Sequence, residues 1–184
     1  MSLPHFCLAV LRALALGAFT AAALAAGGAR AADSLEQARV KAAFVLNFMK
    51  FTAWPAGPVT ASKTIVLCAT DSHPLAGQLH ELEGRDVRGL AVRIVHPADN
   101  DVQPCDVVFV TEADAPTLQA LQGATAARPV LTISDRAGFI DRGGMIEIKL
   151  VNGRTRFDIN LAAARAAGLT LSSQLLQLAD RVVQ

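Results

Sequence analysis

Apolar positions along this chain switch between a helical period and a strand period, and the switches mark its elements. From Leu35 to Pro55, written LEQARVKAAFVLNFMKFTAWP, apolar residues recur at helical spacing. Val40, Phe44, Phe48 and Phe51 form one stripe, and Ala42, Val45, Leu46 and Met49 form a second beside it. Glu36, Arg39, Asn47 and Lys50 share the polar arc, with Lys41 outside it. A surface helix needs only one apolar stripe, so this width predicts burial on more than one side. Either the helix lies wholly inside a core, or one strip packs on the domain and the other meets a second chain. Asp33 or Ser34 is placed to cap it, and Trp54-Pro55 to end it.

Short, nearly continuous apolar runs follow, of the kind found in strands covered on both faces. They are Thr64 to Thr70, Leu90 to His96, Cys105 to Thr111 and Pro129 to Ser134. Helical spacings separate some of them, at His73 to Gly84 and Ala115 to Leu121. The pattern then changes: Met145 to Val151 alternates apolar and polar, as a half-exposed strand does. Asn152-Gly153 is a strong hairpin-turn signal, which makes Arg154 to Ile159 the antiparallel return strand. Asn160 is placed to cap a short alanine-rich helix stopped by Gly168. Ser172 or Ser173 caps a last helix with Leu175, Leu176, Leu178 and Val182 on its apolar side. These elements predict a single α/β domain: a mixed, mostly parallel sheet of about six strands flanked by helices, ending in a β-hairpin and further helices.

The start of the chain stands apart. Leu8 to Leu24 is almost wholly apolar, with Arg12 as its only charge, and Ala29-Arg30-Ala31 offers the small-residue pattern of signal-peptide cleavage. Residues 1–31 are therefore expected to be a signal peptide and 32–184 the folded domain. Met1 to Cys7 carries no Lys or Arg, so a retained anchor is the alternative. Without Arg12 and Arg30, the 17 basic residues become 15 against 16 acids. That balance provides no basic patch for nucleic acid. Cys68 and Cys105 are the cysteines left after cleavage. In an oxidising compartment such a pair favours a disulfide, the alternative being two buried thiols too far apart to join.

Candidate chemistry narrows the field further. ATDSHPLAG, after the first of the strand runs, lacks the G-x-G-x-x-G of a dinucleotide site, and no Walker-type loop occurs. The sheet is thus expected to be Rossmann-like without that fingerprint. His73 and His80 lie on one helix face, but two histidines are short of a zinc set. Asp99-Asn100-Asp101 lacks the glycine and distal glutamate of a calcium loop. Ser134-Asp135 has no nucleophile elbow around it. No catalytic, cofactor or metal set emerges. What remains is binding: Phe44, Phe48, Phe51, Trp54 and Phe157 hold most of the aromatic surface, which protein interfaces favour.

VKAAFVLNFMKFTAWP, GQLHELEGRDVRG, CDVVFVTE and PVLTISDRAGFIDRGGMIEIKLVNGRTRFDINLAAARAAGLTLSSQLLQLA resemble the YfiR family, in order and over nearly the whole mature chain. The resemblance implies a small periplasmic α/β domain without enzymatic activity. It further implies binding and repression of the periplasmic sensor region of a membrane-bound diguanylate cyclase, with effects on cyclic di-GMP and biofilm. Dimer formation and a fold-holding disulfide, here matched by Cys68 and Cys105, belong to the same expectation. A second cysteine pair found in some relatives near the last hairpin is missing from MIEIKLVNGRTRF. A partner surface near the last hairpin and helix, including Phe157 and Leu175, is expected beside the aromatics of the first helix. The competing reading is a periplasmic small-ligand sensing module coupled to another envelope receptor or sensor kinase.

Overall fold

The computed structural model describes residues 34–69, 75–96, 103–110, 121, 123 and 128–184. The expected helix from Ala115 and the Asp99–Asp101 loop lie outside them, as does His73. Residues 1–37 make one unit and Ala38–Gln184 another, and the sheet belongs to the second.

The architecture is α/β, with an eight-stranded mixed sheet flanked by helices. Along the chain run α1 (34–50), β1 (Thr52–Ala53), α2 (Pro58–Ser62), β2 (Thr64–Cys68), α3 (Ala76–His80), β3 (Asp86–Val87), β4 (Leu90–Val95) and β5 (Val107–Val110). Then come β6 (Leu131–Ser134), β7 (Ile146–Val151), β8 (Arg154–Asn160), α4 (Leu161–Ala166), β9 (Thr170–Leu171), α5 (Ser173–Leu178) and β10 (Arg181–Val183). The sheet order is β10-β8-β7-β6-β5-β2-β4-β3, while β1 and β9 pair separately. Its centre, β4-β2-β5-β6-β7, is parallel throughout. Counted along the chain this is the order 2-1-3-4-5, a doubly wound arrangement whose direction of winding reverses between β2 and β5.

All six strands expected from the sequence are present. The two additional strands of the sheet have local causes. Asp86–Val87 folds back on Leu90 through Arg88 and Gly89, both at positive φ. Arg181–Val183 joins β8 in parallel, so Val182 belongs to a strand and not to the last helix, which ends at Leu178. The first helix also stops early, at residue 50, because Thr52 and Ala53 pair with Leu171 and Thr170 before Trp54-Pro55 is reached. Phe51 and Trp54 therefore sit beyond that helix.

Caps and turns follow the residue types. Asn160 Oδ1 accepts from the Ala163 N–H at 2.9 Å, and Ser172 Oγ accepts from the Leu175 N–H at 3.2 Å. Asn152 and Gly153 have φ of 50° and 75°, the handedness of a two-residue turn that matches strand twist. The resulting hairpin pairs Val151 with Arg154 at the turn and Ile146 with Ile159 at its base. Its first strand does not alternate as expected: Ile146, Glu147 and Ile148 are all buried, and exposure begins beyond them. The base of β7 is covered on both faces: Ile146 and Ile148 join the main core, and Glu147 on the other side accepts from the Ile140 N–H.

Candidate functional site

The first helix meets the last hairpin through aromatic rings. Phe157 lies 5.0 Å from Phe48 and 5.8 Å from Phe44 between centroids, and Phe44 and Phe48 are 5.8 Å apart. Tilted and edge-on rings at this spacing add about 0.5–1.5 kcal/mol per pair beyond their burial. Within α1 the strip of Ala42, Val45, Leu46 and Met49 is buried along with Phe48. Val40 and Phe44 of the other stripe are only half-buried, and Arg39, Ala43 and Asn47 are exposed. The helix is thus covered on one side and open on the other, not wholly enclosed. Lys41, the residue outside the polar arc, donates to Asp135 Oδ2 at 2.6 Å from beside the buried strip.

Phe51 and Trp54 are half-buried against the same core, near the β1–β9 pair. The Phe51 carbonyl accepts from the Ser172 N–H at 2.9 Å, which joins the end of α1 to the start of α5. The Trp54 indole N–H is buried without a hydrogen-bond partner among the described residues. Phe157 and Leu175, expected at a partner surface, are core residues instead, 4% and 2% exposed, as is Phe48 at 1%. Their placement follows from the pleat, since Phe157 shares the covered face with Ile148 and Ile159, and from the cap at Ser172, which turns Leu175 inward.

The open surface of this region lies farther out. On β7, Ile146, Ile148 and Leu150 face the same way as Ile159, Phe157 and Thr155 on β8. Exposure along that row rises from 0% and 1% to 50% at Leu150, where the cover runs out. Val151, on the opposite face, is also exposed. Leu178, 59% exposed, precedes β10, and β10 runs parallel to β8 from Arg181 opposite Asp158. It therefore lies toward the turn end of the hairpin. These are three of the four exposed large apolar side chains among the described residues, and Leu35 is the fourth.

Charge lies on the face of the hairpin that Val151 shares, opposite Leu150. Lys149 Nζ lies 2.6 Å from Asp158 and 3.5 Å from Asp180, and Arg156 lies 3.7 Å from Asp180. Arg181 reaches Asp141 at 3.0 Å and buried Asp158 at 3.5 Å. The network ties β10 to the hairpin and to the short helical turn Ile140–Arg142. The hydrogen bond to Asp158 holds Lys149 protonated above the ordinary lysine value, and Asp180 adds to this. The hydrogen bond from Arg181 holds Asp141 below the ordinary aspartate value.

At the other side of the sheet, Cys68 and Cys105 form a disulfide, with Cα atoms 5.7 Å apart and both side chains fully buried. It joins the end of β2 to the entry into β5. Asp106, next to it, accepts from the Val66 N–H at 2.8 Å. Burial pushes its carboxyl above the usual range, against the pull of that bond and of Arg128. Ser134 is fully buried, and its hydroxyl donates to the Val110 carbonyl at 2.7 Å while accepting from the Arg136 N–H. That hydroxyl secures the β5–β6 pair. Among the described residues no three or more His, Cys, Asp or Glu side chains gather as a metal set. No described helix is long and apolar enough to cross a membrane.

Sequence periodicity finds the aromatic cluster and misses the exposed leucines, because exposure at a strand tip depends on where the neighbouring elements end. One signal was available: Leu150-Val151 stands directly before the Asn152-Gly153 turn, and residues flanking a turn have few neighbours to cover them. His80 had been aligned with His73; its described partner is His96, sixteen positions on.

The sequence model of one family, described as YfiR/HmsC-like, matches residues 38–180. Two solved structures show a lower similarity. One is a conserved domain protein from Vibrio cholerae, at 16% identity over 65% of this chain and 54% of that one, with a TM-score of 0.44. The other is the ABC domain in complex with L-Trp from Streptococcus pneumonia, at 16% identity over 65% and 55%, with a TM-score of 0.46. The chain spans about half the length of these two proteins.

Proposed function

The chain belongs to the YfiR/HmsC-like family, and on that premise we propose that it is a periplasmic regulator of diguanylate cyclase signalling. In this reading residues 1–31 direct export and are removed. The mature domain then binds the periplasmic sensor region of a membrane-bound diguanylate cyclase and represses it. The observation that supports a contact-based mechanism is the exposure of Leu150, Val151 and Leu178, with Lys149 and Arg156 on the same hairpin face as Val151. Exposed apolar side chains supply contact area at a protein interface, and charges close by set partner choice and encounter rate. Phe48, Phe157 and Leu175 belong to the core and not to this exposed surface. The half-buried stripe of Phe44, with Phe51 and Trp54 beyond the helix end, is the surface assigned to a second copy of the chain.

Repression then needs no chemistry. A binder shifts a receptor between states by its difference in affinity for them, and a hundredfold reduction in output takes about 2.7 kcal/mol. That is within the reach of one or two well-buried apolar anchors. The test combines binding and output. The purified mature protein is titrated with the periplasmic domain of a diguanylate cyclase from the same bacterium, and cyclic di-GMP is measured with the gene present and deleted. Saturable binding together with higher cyclic di-GMP in the deletion is the expected result. Unchanged cyclic di-GMP and no binding to any such domain would overturn the reading.

A further inference from the structure

His80 closes α3 and His96 follows the last residue of β4. Their Nε2 atoms lie 2.7 Å apart, and the ring centroids 4.5 Å apart. On the far side of the His96 ring, Nδ1 lies 2.8 Å from the Ala69 carbonyl. A carbonyl only accepts, so Nδ1 donates to it, and Nε2 is the nitrogen turned toward His80. This is how proteins orient an imidazole for a metal, by engaging its other nitrogen with a backbone carbonyl. The anchor is firm. Ala69 is 2% exposed, follows the disulfide-bonded Cys68, and donates its own N–H to the Val95 carbonyl at 3.2 Å. His96 stands at the carboxyl end of β4, which pairs in parallel with β2, and His80 reaches it from the end of α3; this is the edge at which open α/β sheets take ligands.

We propose that His80 and His96 form a two-imidazole site for a divalent late transition-metal ion, with copper(II) as the preferred one. Each ring supplies Nε2, the His80 proton moves to its Nδ1, and water fills the remaining positions. The spacing selects the ion. With metal–nitrogen bonds of about 2.0 Å, two ligands at a right angle sit roughly 2.9 Å apart, and two at a tetrahedral angle roughly 3.3 Å apart. The observed 2.7 Å opens to the first with a small rotation of the exposed His80 ring and to the second only with a larger one. Square-planar or tetragonal copper(II) and nickel(II) therefore fit better than tetrahedral zinc, and the general order of affinities places copper ahead of nickel. A bound ion ties the end of α3 to the sheet beside the disulfide, on the opposite flank from the hairpin.

The experiment titrates metal-free mature protein with copper(II), nickel(II) and zinc(II), followed by calorimetry and, for copper, by electron paramagnetic resonance. One copper per chain with nitrogen hyperfine coupling is expected, with copper tighter than nickel and zinc. His80→Ala is expected to weaken copper binding at least tenfold while leaving circular dichroism and melting temperature of the metal-free protein unchanged, since His80 is exposed. His96→Ala gives the same loss. No copper binding, copper binding undiminished in His80→Ala, or zinc bound more tightly than copper would each overturn the assignment.

Discussion

The two halves of the sheet are finished differently. At the centre, β5 and β6 are buried at every position, and the adjacent β2 is tied to the entry of β5 by a disulfide. In the hairpin, β7 and β8 are equally buried at their base, but their apolar row continues past its cover to Leu150, and Val151 and Leu178 lie open nearby. Among the described residues β5 and β6 leave no apolar side chain exposed, and this part of the sheet serves to hold the fold. The hairpin end has apolar surface that the chain itself does not use. The two regions differ in where the neighbours stop, not in the kind of residue: leucine and valine supply both.

The sharpest break between core and edge comes from paired substitutions on one face of the hairpin. Phe157→Ala is expected to cost about 3–5 kcal/mol in urea unfolding, because it removes the ring that joins α1 to β8. Leu150→Ala, on the same face, is expected to stay within about 0.5 kcal/mol of the parent. Equal losses would place the boundary of the core in the wrong position.

Next in size is the centre. Replacing both Cys68 and Cys105 by serine is expected to cost about 3–4 kcal/mol through loop-closure entropy of the unfolded chain. The same change leaves binding through the hairpin end intact at temperatures where the protein remains folded. Equal unfolding midpoints for the oxidised and the reduced, alkylated parent would contradict this.

Much of this contrast was legible in the residues, and some was not. The six main strands, the Asn152-Gly153 turn and the Asn160 and Ser172 caps each rest on local chemistry that acts within four residues. The end of α1 at residue 50 does not, because it is set by pairing of Thr52 with Leu171, more than a hundred positions away. For the same reason Val182 looked helical: apolar spacing after Leu178 fits a helix as well as a strand three residues long. Phe157 and Leu175 read as partner-surface residues yet lie in the core, since aromatic and aliphatic side chains read alike in a core and in an interface. Lys41 could be recognised as out of place on its helix, but its partner Asp135 could not be read from spacing.

A smaller effect sharpens the account of how the end of β8 is held. Asn160 caps α4 and also donates to the Ile140 carbonyl at 3.0 Å. Asn160→Ala is therefore expected to cost about 1–2 kcal/mol, more than a cap alone in a weak host, as read by thermal or urea unfolding. A cost indistinguishable from zero would mean that neither bond contributes.

The smallest expected effect is electrostatic and depends on pH. Lys149 has a raised value in the folded protein, so its contribution is present below the ordinary 10.5 and is lost as pH climbs through the raised value. Asp141 has a lowered value, so its contribution is present above the ordinary 3.8 and is lost as pH falls through the lowered one. Melting temperature should therefore decline at both extremes. Lys149→Met should flatten the alkaline limb and Asp141→Asn the acidic limb, with both effects reduced by salt. An alkaline limb unchanged by Lys149→Met would remove Lys149 from the account.

The most direct measurement compares partner binding of the parent protein with that of the double variant Leu150→Asp, Leu178→Asp, using the periplasmic domain of the diguanylate cyclase proposed as its partner. Placing two carboxylates in the apolar edge is expected to weaken binding at least a hundredfold, with the urea midpoint of the free protein unchanged. Undiminished affinity in a variant that folds like the parent would contradict the claim that this chain acts through the open end of its last hairpin.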